Sequence, residues 1–170
     1  MRKDKKLKWG ILGAARVNER LLPAIIEAQS AQLVAIASRR AGAAFEALKK
    51  YAPQDFNSQD IQCYDDLDAL INDPNVEAIY CPMANEEHAE WALRAINAGK
   101  HVLIEKPMAT TLKDIDAIEA AAIIAGSKRS FTRAAPRMPH FKIKSFVVFR
   151  ITFQSVVPFV KYLKRHNLQL

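Results

Sequence analysis

Lys8-Trp9-Gly10-Ile11-Leu12-Gly13-Ala14-Ala15-Arg16-Val17-Asn18 is the stretch whose reading decides the fold. Leu7, Trp9, Ile11 and Leu12 read as a buried strand, Gly13 as the tight turn at its end, and Leu21, Leu22, Ile25 and Ile26 as the apolar side of a following helix. A dinucleotide-binding βαβ unit begins in this way. Its first glycine permits the bend, its second lets the backbone approach a pyrophosphate, and the helix N-terminus offers free N–H groups and partial positive charge. The G-x-G-x-x-G fingerprint is degraded here, with Gly13, Ala15 and Asn18 at its three positions and Gly10 back in the strand. Taken alone, the loop fits a dinucleotide turn and equally any buried strand that bends into a helix.

A chain of 170 residues suits one domain with a sizeable core and an appendage. Its net charge of +7 is unevenly placed. Residues 1–126 carry 15 basic and 18 acidic residues, whereas 127–170 carry ten basic residues, six of the eight Phe, and no Asp, Glu or Gly. The basic balance therefore belongs to the tail, and nucleic acid is not an expected partner of the main domain. Cys63 and Cys81 sit in apolar, strand-like contexts without metal-ligand spacing, so buried thiols are expected and no metal site. The charged N-terminus leads into a strand pattern with no apolar leader segment, and the most apolar part of the tail, Ile143 to Leu163, is interrupted by Lys144, Arg150, Pro158 and Lys161. A cytoplasmic protein without a membrane partner is the expectation.

Strand and helix patterns alternate along the chain. Gln32 to Ser38 reads as a strand buried on both faces, followed by a helix from Ala41 to Tyr51 that ends at Pro53. Ile61 to Tyr64 reads as a third strand, and Leu67, Leu70 and Ile71 as a helical face closed by Asp73-Pro74-Asn75. Val76 to Cys81 is a fourth strand; Asn85 is expected to cap the next helix, with Gly99 as its C′ residue. His101 to Ile104 is a fifth strand, and Thr111 with Asp114 opens a last helix that Gly126 stops. Five such alternations predict an α/β fold, a doubly wound parallel sheet of Rossmann type, whose ligands bind beyond the carboxyl ends of the strands. That edge holds Gly13, Ala14, Ala15, Arg16, Val17 and Asn18, then Ser38 to Arg40, Pro82 to His88, and Glu105 to Pro107.

An NAD-binding domain usually places an acidic residue at the end of its second strand, to accept hydrogen bonds from the adenosine ribose. Ser38, Arg39 and Arg40 stand there instead. A hydroxyl and a guanidinium fork suit a 2′-phosphate, so the expected cofactor is NADP, with NAD as the alternative; two solvated arginines are the plainer reading of the same residues.

The run from Asn85 is longer and more specific: Asn-Glu-Glu-His-Ala-Glu-Trp-Ala-Leu-Arg-Ala-Ile-Asn-Ala-Gly-Lys-His-Val-Leu-Ile-Glu-Lys-Pro-Met-Ala, preceded by Tyr80-Cys81-Pro82. It closely resembles the nicotinamide-binding domain of the Gfo/Idh/MocA family, matching its Asn-x-x-His at Asn85 and His88, its Ala-Gly-Lys-His-Val at Ala98 to Val102, and its Glu-Lys-Pro at Glu105 to Pro107. The resemblance spans residues 7–126. It implies hydride transfer between a nicotinamide and a sugar, cyclic polyol or diol. Lys106 is then beside the nicotinamide and the substrate oxygen, with Glu105 orienting or tuning it and Pro107 shaping the turn, where a cis bond would fit. Pro82, Asn85 and His88 are implied to pack near the nicotinamide ribose, without a proton-transfer role.

Beyond Gly126 the resemblance stops. The sixth strand with an aromatic-Tyr-Arg motif and the second domain that supplies the substrate pocket in this family are not recognisable in residues 127–170. The tail reads as truncated or out of frame; a strand completing the sheet, with Phe149, Ile151 and Phe153 alternating, and a basic aromatic segment for RNA or anionic lipid are the other readings. A sugar or polyol substrate is expected only where a second domain is supplied. An uncovered face makes a homo-oligomer a possible partner. The alternative function is a non-catalytic dinucleotide-binding sensor or partner subunit.

Overall fold

A computed structural model describes residues 6–125, together with the backbone of residues 147–149. Five parallel strands, β1 (Leu7–Leu12), β2 (Ala31–Ala37), β3 (Gln62–Tyr64), β4 (Ala78–Cys81) and β5 (His101–Ile104), alternate with five helices. The helices are α1 (Asn18–Glu27), α2 (Ala43–Tyr51), α3 (Leu67–Asn72), α4 (His88–Asn97) and α5 (Leu112–Ile124). A short β6 (Val147–Phe149) pairs antiparallel with β5, and the strand order is β3-β2-β1-β4-β5-β6. The predicted doubly wound parallel sheet is therefore observed. Ile151 and Phe153, the other members of the alternating pattern in the tail, lie outside the described residues.

The central strands are apolar along nearly their whole length because helices cover both faces. One face of the sheet, with Trp9, Ile11, Leu33, Ile36 and Tyr80, packs on Leu21, Leu22 and Ile25 of α1 and Ala44, Ala47 and Leu48 of α2. The other, with Leu12, Ala35, Ile79, Val102 and Ile104, packs on α3, α4 and α5 through Leu70, Ile71, Trp91, Ala92, Ile96 and Ile118. Each large side chain removed from water in this way contributes roughly 1.5–3 kcal/mol. Gly10 lies close under α3 and the segment that follows it. A Cβ there would lie 2.9 Å from Leu70 Cδ2 and 3.1 Å from Val76 Cγ1.

Local chemistry sets the helix ends. Thr111 Oγ1 accepts the Asp114 N–H at 3.1 Å and donates to its carboxylate at 2.7 Å, which is the expected start of α5. Gly99, at φ +79°, follows α4, and the Gly99 and Lys100 amides donate to Ile96 and Ala95. The expected cap at Asn85 is corrected. Between β4 and α4 the chain makes a turn in which the Glu87 amide donates to the Ala84 carbonyl at 2.9 Å, so the helix begins at His88 and Asn85 lies exposed ahead of it. Glu87 occupies the N-cap position without a side-chain cap bond, because its carboxylate is drawn to Arg39. Among the described residues no helix is long and apolar enough to cross a membrane.

Candidate functional site

The carboxyl edge of the sheet is built around Gly13. At φ +124° this residue turns the chain out of β1, its N–H donating to the Ala37 carbonyl at 2.9 Å and so tying the turn to the end of β2. The direction a Cβ would take points at Met83 Sδ, 3.0 Å away, with Pro82 Cγ at 3.9 Å. A bare backbone thus faces the β4–α4 connection. Underneath, Asn18 is fully buried at the start of α1 and donates its side-chain amide to the Gly13 carbonyl at 2.8 Å. Asn18, read from sequence as the degraded third glycine, is the brace of the loop.

Ala14 and Arg16 are exposed, while Ala15 and Val17 are half-buried. The first amides of α1 turn inward, those of Asn18, Glu19 and Arg20 donating to the carbonyls of Ala15, Arg16 and Val17. Among the described residues the N–H groups of Ala14 to Val17 have no carbonyl partner. Four free amides at a helix N-terminus, reached over a residue without a side chain, make a cradle suited to phosphate oxygens.

At the end of β2, Ser38 is buried and its Oγ accepts the Arg40 N–H at 3.2 Å. Arg40 leans away to Glu46 of α2 at 2.8 Å. Arg39 reaches in the other direction, and its two terminal nitrogens donate to the two carboxylate oxygens of Glu87 at 2.6 and 3.1 Å. Serine and arginine therefore stand where expected, but the Arg39 fork is engaged by an acid from another connection.

Beyond β4 and β5 the separated motifs meet. His88 is buried on the first turn of α4, and its Nδ1 lies 2.6 Å from the Pro107 carbonyl oxygen. A carbonyl can only accept, so Nδ1 carries the proton of this bond. Among the described residues Nε2 is buried without a partner. His88 is thus a clamp on the Glu105 to Pro107 turn, whose Lys106–Pro107 bond is cis. Pro82 is buried against this edge, while Asn85 is exposed and makes none of these contacts.

Glu105 has both carboxylate oxygens engaged. Oε1 accepts the Tyr80 hydroxyl at 2.7 Å, and Oε2 accepts the Lys106 backbone N–H at 3.1 Å. Glu105 therefore orients Lys106 through its main chain, leaving the Lys106 side chain exposed at the edge. Tyr80 is fully buried, and burial, followed by the charge and hydrogen bond of Glu105, raises its phenol far above the usual range. Cys81, next along β4, is pushed up to about 12, chiefly by burial. Both cysteines are unpaired.

Sequence reasoning quoted Tyr80 and placed Met83 and Glu87 at this edge, but gave none of the three a contact. The one available signal was a tyrosine in the apolar run of β4, since a buried phenol must find an acceptor. Lys100, quoted within the matched motif, lies at the opposite end of the sheet, where its Nζ donates to the carbonyls of Asp73 at 2.6 Å and Val76 at 2.8 Å. Burial lowers its pKa, and its place is structural. Among the described residues no group of three or more His, Cys, Asp or Glu side chains is arranged to hold a metal ion.

Comparison with known proteins gives consistent neighbours. The model of an oxidoreductase family with an NAD-binding Rossmann fold matches residues 7–130. A 1,5-anhydro-D-fructose reductase from Ensifer adhaerens is 34% identical over 134 residues, covering 75% of this chain and 38% of the relative. Inositol 2-dehydrogenase from Salmonella typhimurium is 38% identical over 109 residues, covering 64% of this chain and 31% of the relative. The crystal structure of a 3-ketoreductase from Actinomadura kijaniata, in complex with TDP-benzene and NADP, superposes with a TM-score of 0.64 at 32% identity. It covers 72% of this chain and 36% of that one. The chain spans about a third of the length of these relatives.

Proposed function

The chain belongs to the Gfo/Idh/MocA oxidoreductase family, with its NAD-binding Rossmann fold, and from that premise we propose that residues 1–126 form the cofactor-binding domain of an NADP-preferring dehydrogenase or reductase. Residues 127–170, whose β6 pairs with β5, are the basic, Phe-rich tail in this reading. The reaction class is hydride transfer between the nicotinamide and a secondary alcohol or ketone of a sugar, cyclic polyol or diol. The observation that carries the proposal is the meeting, at one sheet edge, of the Gly13 turn, Arg39 and the His88-clamped Glu105 to Pro107 turn.

The residues present fit a dinucleotide. The free amides of Ala14, Ala15, Arg16 and Val17 would hold the pyrophosphate, and Gly13 lets it approach the backbone. Ser38, Arg39 and Arg40 would bind the adenosine ribose and its 2′-phosphate. Pro82, Asn85 and His88 would line the nicotinamide ribose. The bound nicotinamide supplies or accepts the hydride. Lys106, whose backbone is held by Glu105 and by the His88 contact with Pro107, would bring an ammonium to the reacting oxygen, where it would stabilise alkoxide charge or relay its proton. Two unpaired thiols support a reducing compartment, the cytoplasm.

A second reading, a non-catalytic sensor or partner subunit, is favoured by one observation: both Glu105 carboxylate oxygens accept hydrogen bonds, from the Tyr80 hydroxyl and the Lys106 backbone N–H, rather than from the Lys106 ammonium. Titration of the purified chain with NADPH and NADH, followed by nicotinamide fluorescence, tests the shared premise. Saturable binding with NADPH the tighter is expected, and binding of neither overturns it. Turnover with sugars and diols would then establish the enzyme, whereas binding without turnover fits the sensor or an enzyme whose substrate domain has not been supplied.

A further inference from the structure

The strand order puts β1 between β2 and β4, so the connections after β2 and β4 flank the Gly13 turn on either side. Arg39 belongs to the first connection and Glu87 to the second. Their two hydrogen bonds, at 2.6 and 3.1 Å, therefore bridge the crevice over the carboxyl end of β1. The pairing is two-pronged, with both terminal nitrogens of the fork used, and the Glu87 side chain is only 26% exposed. Arg40 is not an alternative partner across this gap, because it pairs with Glu46 behind it. Asp65, the acid after β3, accepts the Gly42 amide at 2.8 Å and is likewise committed.

Granting the dinucleotide site proposed above, on which this step rests, we infer that Glu87 is the specificity-determining residue at the adenosine end. The carboxylate that the end of β2 lacks is delivered there from the β4–α4 connection. With NADH, that carboxylate accepts the adenosine ribose hydroxyls. With NADPH, it competes with the 2′-phosphate for the Arg39 fork and repels it. Both effects pull selection toward NADH, so the chain discriminates less between the two cofactors than Ser38-Arg39-Arg40 alone would.

The test is Glu87→Gln in the full chain, with Kd for NADPH and NADH measured by fluorescence titration at fixed ionic strength. Glu86→Gln is the control for net charge, since Glu86 is the exposed neighbour. The ratio of the NADH Kd to the NADPH Kd should rise about fivefold or more in Glu87→Gln, as an exposed two-pronged pair is released to a dianion. Glu86→Gln should leave the ratio where it is. In an Arg39→Ala background, Glu87→Gln should not improve NADPH binding further. An unchanged ratio in Glu87→Gln, or an equal change in Glu86→Gln, overturns the inference while NADPH binding by the parent chain still stands. Binding of neither nucleotide by the parent chain overturns the underlying reading and this inference together.

Discussion

Replacing Tyr80 by Phe removes one oxygen from the fully buried end of β4 and with it the 2.7 Å hydrogen bond to Glu105. Hydrogen bonds to charged groups contribute about 1.5–3 kcal/mol, and because Glu105 is only half-buried, water recovers part of the loss, which points to about 1.5 kcal/mol. For a domain of this size that corresponds to about 6 °C in Tm near neutral pH. The pH dependence carries the sharper test. Tyr80's folded pKa is raised above its ordinary 10.0, first by burial and then by the charge and hydrogen bond of Glu105. A group raised on folding contributes stability that is complete below its unfolded pKa and is lost as pH rises beyond it, because the unfolded chain releases the proton while the folded chain keeps it. Above pH 10 the parent chain therefore loses about 1.4 kcal/mol per pH unit through this group, and Tyr80→Phe does not. The stability gap should close at about pH 11. Urea denaturation followed by circular dichroism at pH 7, 9, 10 and 11 measures it. Equal stability at pH 7, or a gap that persists undiminished through pH 11, would refute the reasoning.

Gly13→Ala forces a side chain onto φ +124° and should cost about 1–3 kcal/mol, mostly backbone strain because Met83 Sδ is the movable end of a flexible side chain. It should also weaken NADPH binding at least about tenfold by filling the approach to the amide cradle; a shift in neither urea midpoint nor affinity would show that the turn is not held in this way. His88→Ala removes the 2.6 Å contact with Pro107 and leaves a buried gap, so a loss of about 2–3 kcal/mol is expected. Hydrogen exchange at the Lys106 amide should accelerate by about tenfold or more as the turn loosens, and unaltered exchange would argue against the clamp. Cys81, buried and pushed up to about 12, should resist iodoacetamide at pH 8 in the folded chain, whereas both cysteines react after denaturation. Mass spectrometry showing rapid double labelling of the native protein would contradict that burial.

Much of the fold was legible because its signals are local. The apolar runs of β1, β2, β4 and β5, the Thr111–Asp114 cap and Gly99 after α4 all report on a few neighbouring residues, and all five strands appear where periodicity put them. The errors fell where local signals compete. Asn85 has the right chemistry for a cap, but the turn closed by Glu87 onto Ala84 moves the cap from Asn85 to Glu87.

By itself, then, the sequence determined a doubly wound sheet, the strand ends where a ligand would bind, and membership of a family recognisable from Asn85 to Pro107. Only the tertiary structure decided how those ends are wired: Asn18 bracing Gly13, His88 holding Pro107, Tyr80 holding Glu105, and Glu87 crossing to Arg39. The physical reason is sequence separation. Tyr80 and Glu105 are 25 residues apart and Arg39 and Glu87 are 48, so no window of neighbouring residues contains either pair. Parallel strands bring them together because every crossover returns the chain to the same edge. Which carboxylate meets which donor there is settled by packing on both faces of the sheet, which no local pattern encodes.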